Sequence, residues 1–494
     1  LDKTTQNFAG IHRIHLMGIG GAGMSGLALL LAELDFEVSG CDMIHTSYID
    51  KVLKEDVAVV LGHGSAHMDK FLPDLLIYSS AIPEDNAEIA AARSKGVAVA
   101  KRGEVLSWIF DSRRGIGIAG THGKTTTSSM ISMILDRAGF NPTLAIGGEL
   151  CDIGVNAKLG RGNYMVAELD ESDGSFEKFH PEISVITNID WDHVNFYPTY
   201  ESVLHAFTRY IDNMKEGGLL VYCAEDPGLS RLVAEGLVPD DSISYGWGNS
   251  WNWGAAQVQH KPGGGVTYSL LHDGKLLGEV ELSISGEHNI LNALAACAVS
   301  HKLGIPFSIV KKTLRDFRGA KRRLQHIGSF GGIDVYDDYG HHPREIAATL
   351  SALDRMFPGR RLVVAFQPHR FTRTKALYRE FAEVLSKAGK LLLLPVYRAD
   401  EDPIPGITSL LIADSLPESS RFMCSMAVSL ENAAAQLEEI CVEGDVVLTI
   451  GAGDVSLIGE LLLARAKQAG IQAGCAIPVL AGGHLVDCHP FQRA

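Results

Sequence analysis

The stretch Gly120-Thr121-His122-Gly123-Lys124-Thr125-Thr126 constrains this chain more than any other, because it follows a short apolar strand over 116–119 and opens a helical segment. Glycines let backbone N–H groups close on phosphate oxygens, and a helix start offers its positive end. Lys124 reaches the outer phosphates, and the hydroxyl of Thr125 or Thr126 can ligate Mg²⁺. The loop is shorter than the common motif: five residues before Gly123 stands Ile118, where that motif has glycine. The alternative is a plain glycine turn between strand and helix, and the Lys-Thr-Thr ending favours the nucleotide site.

A second glycine loop sets the fold at the other end of the chain. A buried strand over 11–17 leads into Gly18-Ile19-Gly20-Gly21-Ala22-Gly23, and an Ala/Leu-rich helix starts at Met24. Two glycines permit a tight turn beside a diphosphate, and the third lets helix pack on strand. A further strand over 37–40 ends near Asp42, where a nicotinamide enzyme holds a ribose. Read alone, this segment indicates a dehydrogenase. Strands over 57–61, 75–80 and 97–100 alternate with helices, so an open parallel sheet is expected. His63, Ser79 and Ser80 fall at strand ends, where open α/β sheets bind ligands, and simple turn chemistry is the alternative for each.

The 494 residues exceed what one core organises, and three domains are expected. A net charge of −15 argues against nucleic-acid or anionic-membrane surfaces and directs basic residues near glycine loops toward a small anionic ligand. Eight scattered cysteines form no Cys-x-x-Cys pair and read as reduced thiols. Apolar runs are too short for a membrane span and no leader pattern stands at the start, so a cytoplasmic protein without a membrane partner is expected.

Past the phosphate loop, a strand over 164–169 delivers Glu168, Asp170, Glu171 and Asp173, and one over 183–188 delivers Asp190, Asp192 and His193. Hard oxygens at neighbouring strand ends suit Mg²⁺ beside a nucleotide. His288, Asn289 and Asn292 open a helix and can face an adenine. Trp247, Trp251 and Trp253 mark an aromatic-packed β insertion. After a basic linker ending in Arg323, a strand over 333–336 leads to Asp337, Asp338, Tyr339, His341 and His342. Another over 361–366 delivers His369, Arg370 and Arg373. These two loops suggest one crevice, in which the arginines offer bidentate contacts to a carboxylate or phosphate. Zinc is the weaker alternative for these histidines, since no thiolate stands with them.

In this order, the phosphate loop, the acidic run, Asp192-His193, the His288-Asn289 helix and both histidine loops resemble the Mur ligase family over residues 10–463. The resemblance implies an α/β chain of three domains: a Rossmann-like UDP-sugar domain (1–110), a central P-loop ATPase-type domain (111–322) and a Rossmann-like amino-acid domain (323–465). A tail (466–494) has no assigned role. It also implies a monomeric or homodimeric enzyme that uses ATP and Mg²⁺ to join L-alanine to UDP-N-acetylmuramate through an acyl phosphate. Gly18, Gly20, Gly21, Ala22, Gly23, Met24, Asp42, His63, Ser79 and Ser80 would then hold the UDP-sugar. Gly120, Thr121, His122, Gly123 and Lys124 would hold the phosphates, and Thr125, Glu168 and His193 the metal, with Glu171 beside it. Asn289, Asn292 and His288 would meet adenine, Asp338 the ribose, and Arg323 the phosphoryl group in transfer. Tyr339, His341, His369, Arg370 and Arg373 would frame L-alanine and the acyl phosphate.

Overall fold

The computed structural model describes residues 6–148, 156–261, 263–399 and 401–469. Most of the tail, from residue 470, lies outside the described residues, as do Cys151, Cys475 and Cys488.

The first sheet contains β1 (Arg13–Met17), β2 (Glu37–Asp42), β3 (Ala58–Leu61), β4 (Leu75–Tyr78) and β5 (Ala98–Lys101). All are parallel, in the order β3-β2-β1-β4-β5. The winding reverses between β1 and β4, which opens a crevice beyond their carboxyl ends. The first glycine loop sits there. The helix that follows, Ala22–Glu33, starts two residues before the expected Met24 and already contains Ala22 and Gly23.

The central sheet contains β6 (Arg114–Ala119), β7 (Thr143–Ala145), β8 (Ala157–Lys158), β9 (Tyr164–Glu168), β10 (Ile183–Ile186), β11 (Leu219–Cys223) and β12 (Ile243–Trp247). An edge meander of β13 (Trp253–His260), β14 (Val266–His272) and β15 (Lys275–Leu282) extends it. Its order is β15-β14-β13-β12-β11-β10-β6-β9-β7-β8 among the described residues. The parallel strands β6, β9 and β10 lie side by side, so the phosphate loop after β6 is flanked by the acidic ends of the other two. The tryptophan-rich stretch is the meander, with Trp253 buried and stacked on His272 at 4.4 Å. Asp273-Gly274 closes the β14–β15 hairpin with both residues at positive φ (47° and 72°), which suits a tight turn between right-twisted strands.

The third sheet runs β16-β17-β21-β18-β19-β20, from β16 (Gln325–Phe330), β17 (Ile333–Asp338), β18 (Leu362–Phe366), β19 (Lys390–Leu393), β20 (Cys424–Met426) and β21 (Val446–Ile450). Asp337 and Asp338 complete β17 instead of following it. A single hydrophobic core joins the first two sheets and their helices. The third sheet packs its own apolar clusters, one on each face. Its attachment to the central domain includes charged contacts: Arg373 with Asp192, Arg344 with Asp190 at 3.0 Å, and Arg355 with Glu287. No helix among the described residues is long and apolar enough to cross a membrane.

Candidate active site

The phosphate loop is shaped by what stands against it. Gly120 has φ 122° and lies so close to Thr187 that a Cβ would overlap its hydroxyl. Gly123 has φ 83°, and a Cβ there would sit 2.6 Å from Asn292 Oδ1. Both positions therefore demand glycine. Lys124 begins the helix Lys124–Arg137 and donates to Gly120 O at 2.6 Å and Glu171 Oε2 at 2.7 Å. Burial pulls its pKa down, but Glu171, Asp170 and Glu168 outweigh burial and hold it as an ammonium. Thr125 Oγ1 donates to Glu168 Oε1 at 3.1 Å, and Gly147 N to Glu168 Oε2 at 2.8 Å. Glu171 Oε1 is buried without a hydrogen-bond partner, 3.7 Å from His193 Nε2. His193 itself has φ 52°, a costly conformation of the kind that concentrates at functional sites.

Beside the loop lies a cavity of about 260 Å³, lined by His122, Gly123, Asn289, Asn292, Arg323 and Asp338 among others. His288 also lines it; burial and the neighbouring Arg323 push its pKa down to about 4, so the ring is neutral. Asn289 Nδ2 donates to Ser285 O at 2.6 Å and Asn292 Nδ2 to Asn289 Oδ1 at 3.1 Å, which fixes both amides on the wall. Asp338 accepts from Leu324 N (2.7 Å) and Gly340 N (2.8 Å), and burial raises its carboxyl to about 6. The linker arginines divide the work. Arg322 fastens the third domain through Asp337 and the carbonyls of Gly451 and Gly453. Arg323 faces the cavity, with Tyr339 under it at 5.4 Å and Glu345 at 3.7 Å.

On the third-domain side, His341 and His369 stand with ring centroids 5.8 Å apart, and His369 stacks on Tyr397. Burial, reinforced by nearby cationic groups, lowers His341 to about 4 and His369 to about 2, so both are neutral. Arg370 is partly exposed and has φ 72° at the start of the helix Phe371–Leu385. Arg373 departs from the expected free anion-binding group. Its guanidinium is buried and bidentate on Asp192, at 2.9 Å and 3.1 Å, with its remaining nitrogen 3.2 Å from His369 Nδ1. His122 also does more than the spacing suggested, reaching Asp190 at 3.1 Å and Glu345 at 3.3 Å. Burial opposes its charge, yet the two carboxylates raise it to about 9.

In the first glycine loop, Gly18 N and Ile19 N donate to Cys41 O, and Gly21 N donates to Gly18 O. Asp42 Oδ2 accepts from Gly20 N at 2.8 Å, so this carboxylate braces the loop instead of waiting for a ribose. Ser79 packs against Gly18, Ser80 is exposed and Met24 is buried. His63 Nδ1 lies 3.2 Å from the Sγ of Cys41, the residue whose carbonyl holds the loop. Arg102, unmarked by any motif, places its guanidinium 3.0 Å from where a Gly23 Cβ would be. It directly follows β5, and the strand-end rule applied to His63 and Ser79 points to it equally. Glu345 was missed because it sits inside a helix, Pro343–Met356.

A phosphate loop flanked by carboxylates, a nucleoside-sized cavity and a second domain closing over it define a three-domain P-loop enzyme of the ligase type. The chain belongs to the Mur ligase family. The family catalytic domain matches residues 13–114, the Mur ligase middle domain 118–300, and the Mur ligase glutamate ligase domain 322–453. A UDP-N-acetylmuramate–L-alanine ligase of Lawsonia intracellularis is 42% identical over 455 residues, covering 92% of this chain and 99% of the relative. The solved UDP-N-acetylmuramate-alanine ligase of Thermotoga maritima is similar at TM-score 0.78 and 29% identity, over 92% of this chain and 99% of that one. A murein peptide ligase from Psychrobacter arcticus shares the fold at TM-score 0.70 and 24% identity, over 92% and 98%.

Proposed function

We propose that this chain forms the amide between L-alanine and the carboxylate of UDP-N-acetylmuramate, driven by ATP, in the cytoplasmic stage of peptidoglycan synthesis. The observation that carries this reading is the 42% identity to an alanine ligase along 99% of that enzyme's length. Lys124 and the adjoining cavity, lined by Gly123 and Arg323, supply the machinery such a reaction needs.

A carboxylate is a poor electrophile. Its oxygen attacks the γ-phosphorus of ATP, and ADP leaves with the electrons of the broken P–O bond. The alanine ammonium loses a proton to solvent, its free amine adds to the acyl-phosphate carbonyl, and the tetrahedral intermediate gives up the second nitrogen proton as it expels inorganic phosphate. Lys124 and Arg323 stabilise charge on the phosphoryl oxygens, each worth on the order of 3–4 kcal/mol for a well-placed donor. Before nucleotide arrives, Glu171 holds Lys124 in place. Mg²⁺ fits this site: the unpartnered Glu171 Oε1 and the Thr125–Glu168 oxygens form a hard, anionic donor set. Thr125, Glu168 and His193 would hold the ion, which when bound neutralises phosphate charge. His341 and His369 are too weakly basic to keep a proton at neutral pH. His341, whose Nδ1 donates to Tyr339 O, can accept from the alanine amine at Nε2, while His369, whose Nδ1 accepts from Arg373, can donate from Nε2 to the alanine carboxylate beside Arg370. Asp338 would receive the ribose hydroxyls. The UDP-sugar diphosphate would lie at the start of the helix Ala22–Glu33 with Arg102 beside it.

The test is phosphate release from Mg-ATP and UDP-N-acetylmuramate with L-alanine, a murein tripeptide or neither. Release that depends on L-alanine, with the amide product found by mass, is expected. Release with the tripeptide alone would replace this reading with a peptide-recycling ligase.

A further inference from the structure

The face of the first sheet away from the central domain carries a polar cluster that the ligase reaction does not use. His15 in β1 and Cys41 in β2 point to the same side, where the helices His67–Phe71 and Ala87–Ser94 cover them. His67 opens the first of these helices, and Glu88 stands in the first turn of the second. His15, Cys41 and Glu88 are fully buried in an otherwise apolar cluster that includes Met17, Met68, Leu76 and Ile89.

Their donor atoms converge. Glu88 Oε1 lies 3.1 Å from His15 Nε2 and 3.0 Å from His67 Nδ1, and its two oxygens lie 3.7 and 3.6 Å from Cys41 Sγ. All four donors fall within 4.8 Å of one another. Ligand bonds of 2.0–2.3 Å in a tetrahedron give edges of roughly 3.3–3.7 Å, so the cluster needs only small shifts to close on one ion. Two details argue that more than hydrogen bonding is built here. His15 Nε2 is completely buried, and Glu88 Oε1, 3.1 Å away, is out of line for a good hydrogen bond to it. Its other nitrogen, Nδ1, is held by Ser39 Oγ at 2.8 Å, the outer contact that fixes the ring of a metal-bound histidine. Gly64 N likewise holds Glu88 Oε2 at 2.8 Å and leaves Oε1 facing the histidines.

We infer that His15, Cys41, His67 and Glu88 form a structural zinc site in the first domain. One thiolate, one carboxylate and two neutral imidazoles balance a divalent cation, so the filled site carries no net charge into the core. Thiolate and imidazole donors select zinc over the hard cation of the nucleotide site. Without a cation, burial and Glu88 push the Cys41 thiol well up, and bound metal reverses that balance. His67 is partly exposed and provides the way in. The site also ties to the glycine loop, since Cys41 O accepts the amides of Gly18 and Ile19 at 2.8 and 3.1 Å.

The test is elemental analysis of the full-length protein, expressed with zinc and passed over a weak chelating resin. Cobalt(II) exchange follows on the same preparation. About one zinc per chain is expected, with the intense visible bands of tetrahedral cobalt and a thiolate-to-cobalt charge-transfer band. Cys41→Ser should abolish the charge-transfer band, and Glu88→Gln should lower zinc occupancy at least about tenfold. Wild-type protein without zinc and with only octahedral cobalt spectra would overturn the inference. So would zinc and a charge-transfer band that persist in folded Cys41→Ser. If either variant fails to fold, the wild-type zinc content and cobalt spectrum decide alone.

Discussion

Gly123 shows how much one residue settles at the active site. It combines a left-handed backbone with an absent Cβ against Asn292, so the phosphate loop and the cavity wall share one contact. Gly123→Ala is therefore expected to cost about 1–3 kcal/mol in stability from backbone strain and to raise the KM for ATP, seen by thermal melting and steady-state kinetics. Lys124→Ala should lower turnover at least on the order of 10²–10³-fold, while calorimetry finds UDP-sugar affinity nearly unchanged, because that ligand is assigned to another domain. Lost sugar affinity would contradict the assignment. The positions of such residues were legible from sequence, since a glycine turn between strand and helix and acids at the end of an apolar run are local patterns. Arg373 was not. It looked like an anion-binding group, and its true partner, Asp192, lies 181 positions away.

At the level of elements, the parallel strands were readable because short apolar runs alternate with helices and end in glycine or acidic turns. Their order was not readable, and it matters: β9 and β10 flank β6, which brings Glu168, Glu171 and His193 to the phosphate loop. The tryptophan-rich stretch was readable as a β insertion, but the parallel pairing of its strand β13 with β12 at the edge of the central sheet was not. The joint between the strand end after β10 and the helix Phe371–Leu385 is the buried Asp192–Arg373 pair. Removing one partner leaves a buried charge, so Arg373→Met should destabilise the protein by about 3–5 kcal/mol. Arg373→Met combined with Asp192→Leu should recover a large part of this. A melting-temperature cycle of the four proteins checks both statements.

Across the whole molecule, the first two domains share a core and the third is joined to them partly by charge. His122 is the pH-sensitive part of that joint. Its folded pKa of about 9 exceeds the ordinary 6.5, so its stabilising contribution is fully present below about 6.5 and is lost as pH rises through about 9. A loss on the order of 2–3 kcal/mol between pH 7 and 10 is expected in thermal melts, and His122→Asn should flatten that slope. A polar joint also suits domain motion around substrates. Scattering should therefore show the third domain loosening at pH 10 in the free protein and compacting again when ATP and the UDP-sugar are both bound.

In the proposed reaction the sugar carboxylate takes up a phosphoryl group before the amide forms. The direct measurement uses UDP-N-acetylmuramate carrying ¹⁸O in that carboxylate, turned over with ATP and L-alanine, followed by mass analysis of the released phosphate. The acyl-phosphate route predicts one ¹⁸O per phosphate, carried across when the C–O bond breaks. Phosphate without ¹⁸O, alongside normal amide product, would rule out the acyl phosphate, because the carboxylate oxygen would then have left without phosphorus.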